Sequence, residues 1–70
     1  MINYDPLKTT LKNKNLVLSD LRVSIGLNSK TQTNINKNEP VSLATIAKIC
    51  QELQVPIEEI VYIDYKSKNK

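Results

Sequence analysis

The side chains that could do chemistry are concentrated in a short polar segment that follows the single glycine, Gly26. Asparagine can hydrogen-bond to the edge of adenine, lysine can donate to guanine, and the methyl group of threonine can contact thymine. The free amides at a helix start suit an anion, because the positive end of the helix dipole lies there. The candidate residues are Asn28, Ser29, Lys30, Thr31, Thr33, Asn34, Lys37 and Asn38. Their types predict contact with a nucleic-acid duplex.

The candidate residues divide into base contacts and phosphate contacts. We expect Asn34 to bond to adenine, Lys30 to donate to guanine and Thr33 to touch a thymine methyl group. Thr31 and the helix start suit one phosphate, and the loop residues 37–38 suit the DNA backbone on the other side. Phosphate contacts fix register, whereas base contacts carry sequence choice. The alternative is a solvated helix face without a ligand, since Asn and Lys are common throughout the chain.

These side chains need a helix to present them, and the residues around Gly26 predict one. Leu18, Leu21 and Ile25 recur at i, i+3 and i+7, which places them on one face of a helix. Gly26 follows directly, and glycine adopts at little cost the positive φ that ends many helices. Asn28 can then cap a second helix. Two helices joined by a short turn that contains glycine form a helix-turn-helix, whose second helix enters the major groove of DNA.

Five short helices are predicted over the whole chain. Helix 1 begins near Asp5, which can cap it, with Pro6 at the first helical position. Helices 2 and 3 span about 18–25 and 29–37, and Pro56 opens helix 5. The residues expected in left-handed turns are Asn15 and Asn38.

Helix 4 carries the strongest amphipathic pattern in the chain. Ser42 is placed to cap it. The predicted apolar stripe consists of Leu43, Ile46, Ala47, Cys50 and Leu53, with Ile49 at its edge. Cys50 lies on this stripe, where a buried cysteine behaves as a small hydrophobic side chain. A reactive thiol is not expected there, because the chain has no histidine to activate it.

Composition narrows the class of protein. Seventy residues form one domain, and ten Lys or Arg against seven Asp or Glu give a net charge of +3, which permits phosphate contact without requiring it. The lack of histidine and the single cysteine exclude a zinc site or a disulfide framework within one chain. A lone reduced thiol fits a cytoplasmic protein. No apolar run approaches the ~20 residues of a membrane span. We expect no membrane contact, cofactor, metal or small-molecule ligand, and we predict that the chain is not an enzyme.

The helix-turn-helix and the residues after it resemble the Cro and phage-repressor type (XRE-like) family of regulators. The matching residues are Leu16, Leu21, Gly26, Leu27 and Ile35, followed by the segment 42–60 with the sequence SLATIAKICQELQVPIEEI. The resemblance covers about residues 4–62. It implies an all-α, compact, five-helix domain like that of λ repressor over residues 1–63, and a basic, flexible tail over 64–70. The small size is similar to that of a stand-alone regulator.

The function implied by this resemblance is binding to a double-stranded DNA operator, which makes the chain a transcriptional regulator that represses by steric exclusion. The sequence departs from the family pattern at Val17, where a Ser or Thr cap is usual, at Leu18, where a polar residue is common, and at Gln32, which is usually apolar. Helix 3 also lacks arginine, the commonest side chain in guanine contacts. These departures keep an alternative open: an antitoxin-like or phage-encoded module of the same shape that binds a protein.

The segment that follows helix 5 has the spacing of a β-strand, because Val61, Ile63 and Tyr65 alternate with Tyr62 and Asp64. One interpretation is that this segment packs back over helices 1 and 5. The other is that the helix 5 region and the C-terminal segment join a second copy in a two-fold dimer. Repressors of this type generally bind DNA as dimers. We therefore predict a homodimer.

Overall fold

Four α-helices, one 3₁₀ turn and one pair of short strands make up residues 1–65, the part of the chain that the computed structural model describes. The elements in chain order are β1 (Ile2–Asn3), α1 (Asp5–Asn13), α2 (Leu18–Ser24), α3 (Ser29–Asn36), α4 (Leu43–Leu53), the 3₁₀ turn (Ile57–Glu59) and β2 (Tyr62–Ile63). The predicted helical architecture is confirmed, whereas the count of five helices is wrong. Residues 66–70 of the predicted tail lie outside the described residues. None of the helices within 1–65 has the length and apolar character needed to cross a bilayer.

The segment predicted as helix 5 is the 3₁₀ turn. Its apolar residues Ile57, Ile60 and Val61 fit a single turn as well as a longer helix, so their spacing could not set the length of the element. The chain leaves the turn at Ile60, whose carbonyl oxygen accepts a hydrogen bond from the Leu7 amide at 3.1 Å. The chain then becomes extended as β2, which pairs with the N-terminal strand β1.

Part of the segment predicted to be strand-like, Tyr62–Ile63, forms β2. Its partner strand, β1, was not predicted from the sequence. β1 and β2 pair antiparallel, with Ile2 opposite Ile63 and Asn3 opposite Tyr62. The amide of Asp64 extends the pairing by donating to a backbone carbonyl oxygen in the first residue of the chain at 2.6 Å. Tyr62 and Ile63 nevertheless keep their side chains exposed. The strand pair therefore joins the two ends of the domain through its backbone and leaves apolar side chains at the surface.

The left-handed turn between α2 and α3 lies where the sequence predicts it. Gly26 has a φ of 71°. Any residue with a Cβ would be strained in this conformation, although a Cβ at Gly26 would meet no atom within 4 Å. Asn15 and Asn38 also have left-handed backbones, with φ of 59° and 58°, as predicted. Gln54, at the end of α4, has a φ of 57° that no local signal indicated.

The buried face of α4 is rotated from the predicted stripe. Ile49, predicted at the edge, has 0% of its surface exposed, whereas Leu43 is 73% exposed and Ala47 is also exposed. Apolar residues occur on more than one face of α4, so periodicity alone could not choose the face that is buried. The core consists of Tyr4, Leu7, Leu11, Leu21, Leu27, Ile35, Ile46, Ile49, Leu53 and Ile60.

Tyr4 ties the N-terminal segment to the loop between α3 and α4. Its side chain is buried, and its hydroxyl donates to the carbonyl oxygen of Glu39 at 2.7 Å. Its amide donates to Oδ1 of Asn38 at 3.1 Å. Burial raises the pKa of the Tyr4 phenol, and a backbone hydrogen bond at Val41 offsets part of that rise. The hydroxyl therefore stays protonated and remains a hydrogen-bond donor.

Two predicted helix caps have different outcomes. The hydroxyl of Ser42 accepts a hydrogen bond from the Thr45 amide at 3.1 Å, so the predicted cap of α4 is confirmed. Asp5 does not cap α1, because it is already the first helical residue and Pro6 is the second. Oδ1 of Asn3 accepts a hydrogen bond from the Asp5 amide at 2.7 Å instead.

The start of α2 lacks a capping side chain because Val17 occupies the N-cap position. The absence of a polar N-cap costs about 0.5–2 kcal/mol in other proteins. The Val17 amide donates to Oδ2 of Asp20 at 3.0 Å, which is one half of a capping box. Asp20 therefore offsets part of the loss.

Replacing Ile49 by alanine tests the rotated face of α4. The variant loses apolar contacts and leaves a cavity, so its free energy of unfolding should fall by about 2–5 kcal/mol. Val23→Ala is the control, because Val23 is 89% exposed and its truncation should change that free energy by no more than about 0.5 kcal/mol. Urea unfolding followed by circular dichroism measures both variants. Equally small effects would contradict the central position of Ile49.

Candidate nucleic-acid interface

α3 exposes one polar face and buries the opposite side. The exposed residues at its surface and at its C-terminal cap are Ser29, Lys30, Thr33, Asn36 and Lys37. Positions 29, 33 and 36 follow the i, i+4, i+7 spacing of a single helix face. Ile35 lies on the other side and is 1% exposed. Four of the eight predicted site residues therefore share one accessible surface.

The predicted cap fixes the start of α3. Asn28 has an extended backbone, and its Oδ1 accepts a hydrogen bond from the Thr31 amide at 2.8 Å. This bond occupies the Thr31 amide, which is one of the helix-start amides predicted to suit a phosphate. The amides of Ser29 and Lys30 belong to the first turn, where amides have no acceptor within the helix. These two amides, with the half-buried Thr31 hydroxyl, are the groups that could meet an anion at this end.

Asn34 and Gln32 lie at the edges of the exposed face, since both are half-buried. The backbone carbonyl of Asn34 accepts hydrogen bonds from the amides of Lys37 at 3.2 Å and Glu39 at 2.7 Å. Nε2 of Gln32 lies 3.5 Å from Oγ of Ser19 in α2, a weak hydrogen bond. Gln32 therefore faces α2.

Lys37 and Asn38, the two predicted phosphate contacts after α3, differ in their exposure and in their hydrogen bonds. Lys37 is exposed, and its ammonium group extends from the C-terminal end of the helix. Asn38 is half-buried, and its Oδ1 is already bonded to the Tyr4 amide. Only the Nδ2 group of Asn38 can donate to a phosphate oxygen, and its Oδ1 holds the loop to the N-terminal segment.

Asn36 is an exposed residue of this face that the candidate set omits. Position 36 lies within the predicted helix 3 (29–37), but it also opens the polar run 36–39 before Pro40, which is typical of a loop; in the structure Asn36 is the last residue of α3. Helical spacing would have found it, because position 36 follows Ser29 by seven residues and Thr33 by three.

From residue 21 to residue 38, the helix-turn-helix and the loop after it carry basic side chains and no acidic ones. Between Asp20 and Glu39 the sequence contains Arg22, Lys30 and Lys37, with no Asp or Glu. The sign of this charge is the one that attracts the phosphate backbone of DNA.

Other reactive groups are placed unfavourably for chemistry. Burial raises the pKa of the Cys50 thiol, and the negative charge of Glu58 raises it further. A thiol with a raised pKa is a poor nucleophile at neutral pH, because the thiolate is the reactive form. Within residues 1–65, no three His, Cys, Asp or Glu side chains are grouped so that they could hold a metal ion.

A comparison with protein families identifies the class that this fold and this helix define. The family model described as a Cro/C1-type helix-turn-helix DNA-binding domain matches residues 7–65. The chain therefore belongs to the Cro/C1-type helix-turn-helix family. The resemblance found in the sequence is confirmed.

Among solved structures, the chain is similar to the transcriptional regulator VanUg in its crystal form II. The two chains share 28% sequence identity and superpose with a TM-score of 0.84, over 87% of this chain and 81% of that chain. A comparison with curated proteins finds no significant match.

Proposed function

We propose that this protein is a sequence-specific transcriptional regulator that inserts α3 into the major groove of double-stranded DNA. The observation that carries the proposal is the orientation of α3, whose single apolar residue, Ile35, is buried while the polar side chains opposite are exposed. The major groove is about 12 Å wide and admits a helix. Membership of a DNA-binding family and similarity to the regulator VanUg support the proposal. The protein represses by covering an operator that overlaps a promoter.

Three side chains make the proposed base contacts. Asn34 bonds to adenine, Lys30 donates to guanine, and Thr33 contacts a thymine methyl group. The Thr31 hydroxyl and the first-turn amides of Ser29 and Lys30 approach a phosphate at one end of α3, because the helix dipole is positive there. Lys37 approaches the DNA backbone at the other end. The phosphate contacts set the position of α3, and the base contacts select the sequence.

A second candidate function is protein binding by the same face, as in an antitoxin-like or phage-encoded module. The observation that favours it is the composition of α3, which contains one lysine and no arginine. A salt titration separates the two functions. Groove binding with several phosphate contacts weakens steeply and log-linearly with salt, whereas a protein contact of mixed polarity does not.

The proposed partner in DNA binding is a second copy of the chain. An open apolar groove that includes no residue of α3 is lined by Leu43, Ile57, Tyr62 and Ile63, all of them exposed. Contiguous exposed apolar surface commonly marks an interaction site. This groove lies in the region of the 3₁₀ turn and β2, where the sequence predicts a dimer contact. A two-fold pair of domains would place two recognition helices about 34–36 Å apart on one face of DNA.

Replacing Asn34 by alanine should weaken binding to the preferred duplex by about 1–3 kcal/mol and relax the choice of base at one position. Alanine cannot make the paired hydrogen bonds to adenine. Asn13→Ala is the matched control, because it makes the same change at the exposed end of α1. The preferred duplex is first selected from random DNA, and fluorescence anisotropy then measures binding to it and to its single-base variants. Unchanged discrimination in Asn34→Ala would remove Asn34 from the base-contacting set.

Sedimentation analysis without DNA tests the dimer. The wild-type chain should sediment as a dimer at high micromolar concentration. Ile63→Lys should sediment as a monomer, because it places a charge in the apolar groove. Val23→Lys introduces the same charge at an exposed residue of α2 and should remain a dimer. A monomeric wild-type chain would contradict the homodimer.

A further inference from the structure

A groove beside the helix-turn-helix contains two lysines for which the proposed function has no role. Lys8 and Lys12 lie one turn apart on α1, and both are exposed. They line a groove together with Val17, the residue before α2, and Asn36, the last residue of α3. The groove therefore joins α1 to both helices of the helix-turn-helix.

The walls of this groove suit the long stems of lysine. The lining of the groove also includes Leu7, Leu11 and Ile35, all members of the core. Lysine packs its methylene stem along apolar surface and keeps its ammonium group in water. The apolar lining therefore suits the stems of both side chains, and both lysines remain exposed.

The charge in this groove has one sign. Among the residues that the structure describes, its lining includes two ammonium groups and no carboxylate. Lys12 lies in the last turn of α1, where the negative end of the helix dipole favours a cation. The dipole gives no such reason for Lys8, which lies one turn nearer the start of the helix. A polyanionic ligand accounts for both residues together.

Asn36 places this groove at the edge of the DNA-contacting face. An α-helix of eight residues is about 12 Å long, which is close to the width of the major groove. The last turn of α3 therefore lies near the rim of the major groove, where the phosphates are. Asn36 belongs both to the exposed face of α3 and to the lining of the groove with Lys8 and Lys12.

We propose that Lys8 and Lys12 bind phosphates of the DNA strand that borders the last turn of α3, so that α1 contacts the DNA as well as α3. This proposal rests on the proposed function, because it needs α3 in the major groove. The two lysines add affinity and fix the position of the domain on DNA, and they carry no sequence choice.

The test compares two double variants of equal charge. Lys8→Gln with Lys12→Gln removes both proposed contacts. Lys14→Gln with Lys48→Gln is the matched control. Lys14 lines a different groove with Asp20 and Glu52, and Lys48 is exposed on α4. Fluorescence anisotropy measures the binding constant of each protein for the preferred duplex and for a scrambled duplex over a range of salt concentrations. Thermal unfolding confirms that each variant is folded.

The slope of log K against log salt concentration should become shallower by about 1.8 in the Lys8/Lys12 variant, since each phosphate contact contributes about 0.9. Its affinity should fall by the same factor for both duplexes, and the control should keep the wild-type slope. Equal slopes in the two double variants, with wild-type binding intact, would overturn this proposal and leave the proposed function standing. Failure of the wild-type chain to bind either duplex would overturn both.

Discussion

Burial of Ile35 is the interaction on which the orientation of α3, the proposed DNA-contacting helix, depends. α3 has the sequence SKTQTNIN, and Ile35 is its single apolar residue. This side chain belongs to the core together with Leu21 of α2 and Leu27 of the turn. A polar helix with one apolar anchor could rotate about that anchor unless its start were fixed. The left-handed turn at Gly26 and the Asn28 cap fix the start, so the polar face of α3 points outward.

The other end of α3 is held by contacts from distant parts of the sequence. Tyr4 bonds through its amide to Asn38 and through its hydroxyl to Glu39, in the loop that follows the helix. The segment before Tyr4 is itself fixed by pairing with β2. The two ends of the domain thus hold the loop that follows Lys37, a proposed phosphate contact. Tyr4 also lines the proposed dimer groove, so this residue links that groove to the end of α3.

Local chemistry explains which features could be predicted from the sequence. A positive φ at Gly26 and the caps made by Asn28 and Ser42 depend only on neighbouring residues, so residue type and spacing were sufficient. The pairing of Ile2 with Ile63 depends on contacts across the whole chain, and no local pattern encodes it.

The buried face of α4 was misplaced for a related reason. Its apolar residues surround much of the helix, and only packing against the other helices selects the face with Ile49 at its centre. The site was predicted as a set of α3 residues, but Asn36 was missed because its polar neighbours resemble a loop.

Nuclear magnetic resonance of isotope-labelled protein, titrated with the duplex that it selects from random DNA, tests most directly whether the outward face of α3 contacts DNA. The largest changes in amide chemical shift should occur between residues 29 and 37, with smaller changes around Lys8 and Lys12 of α1. Amides around Leu43, Ile57 and Tyr62 should change little, because this groove is assigned to a second copy of the chain. Large changes confined to that groove, with the α3 amides unmoved, would contradict the account.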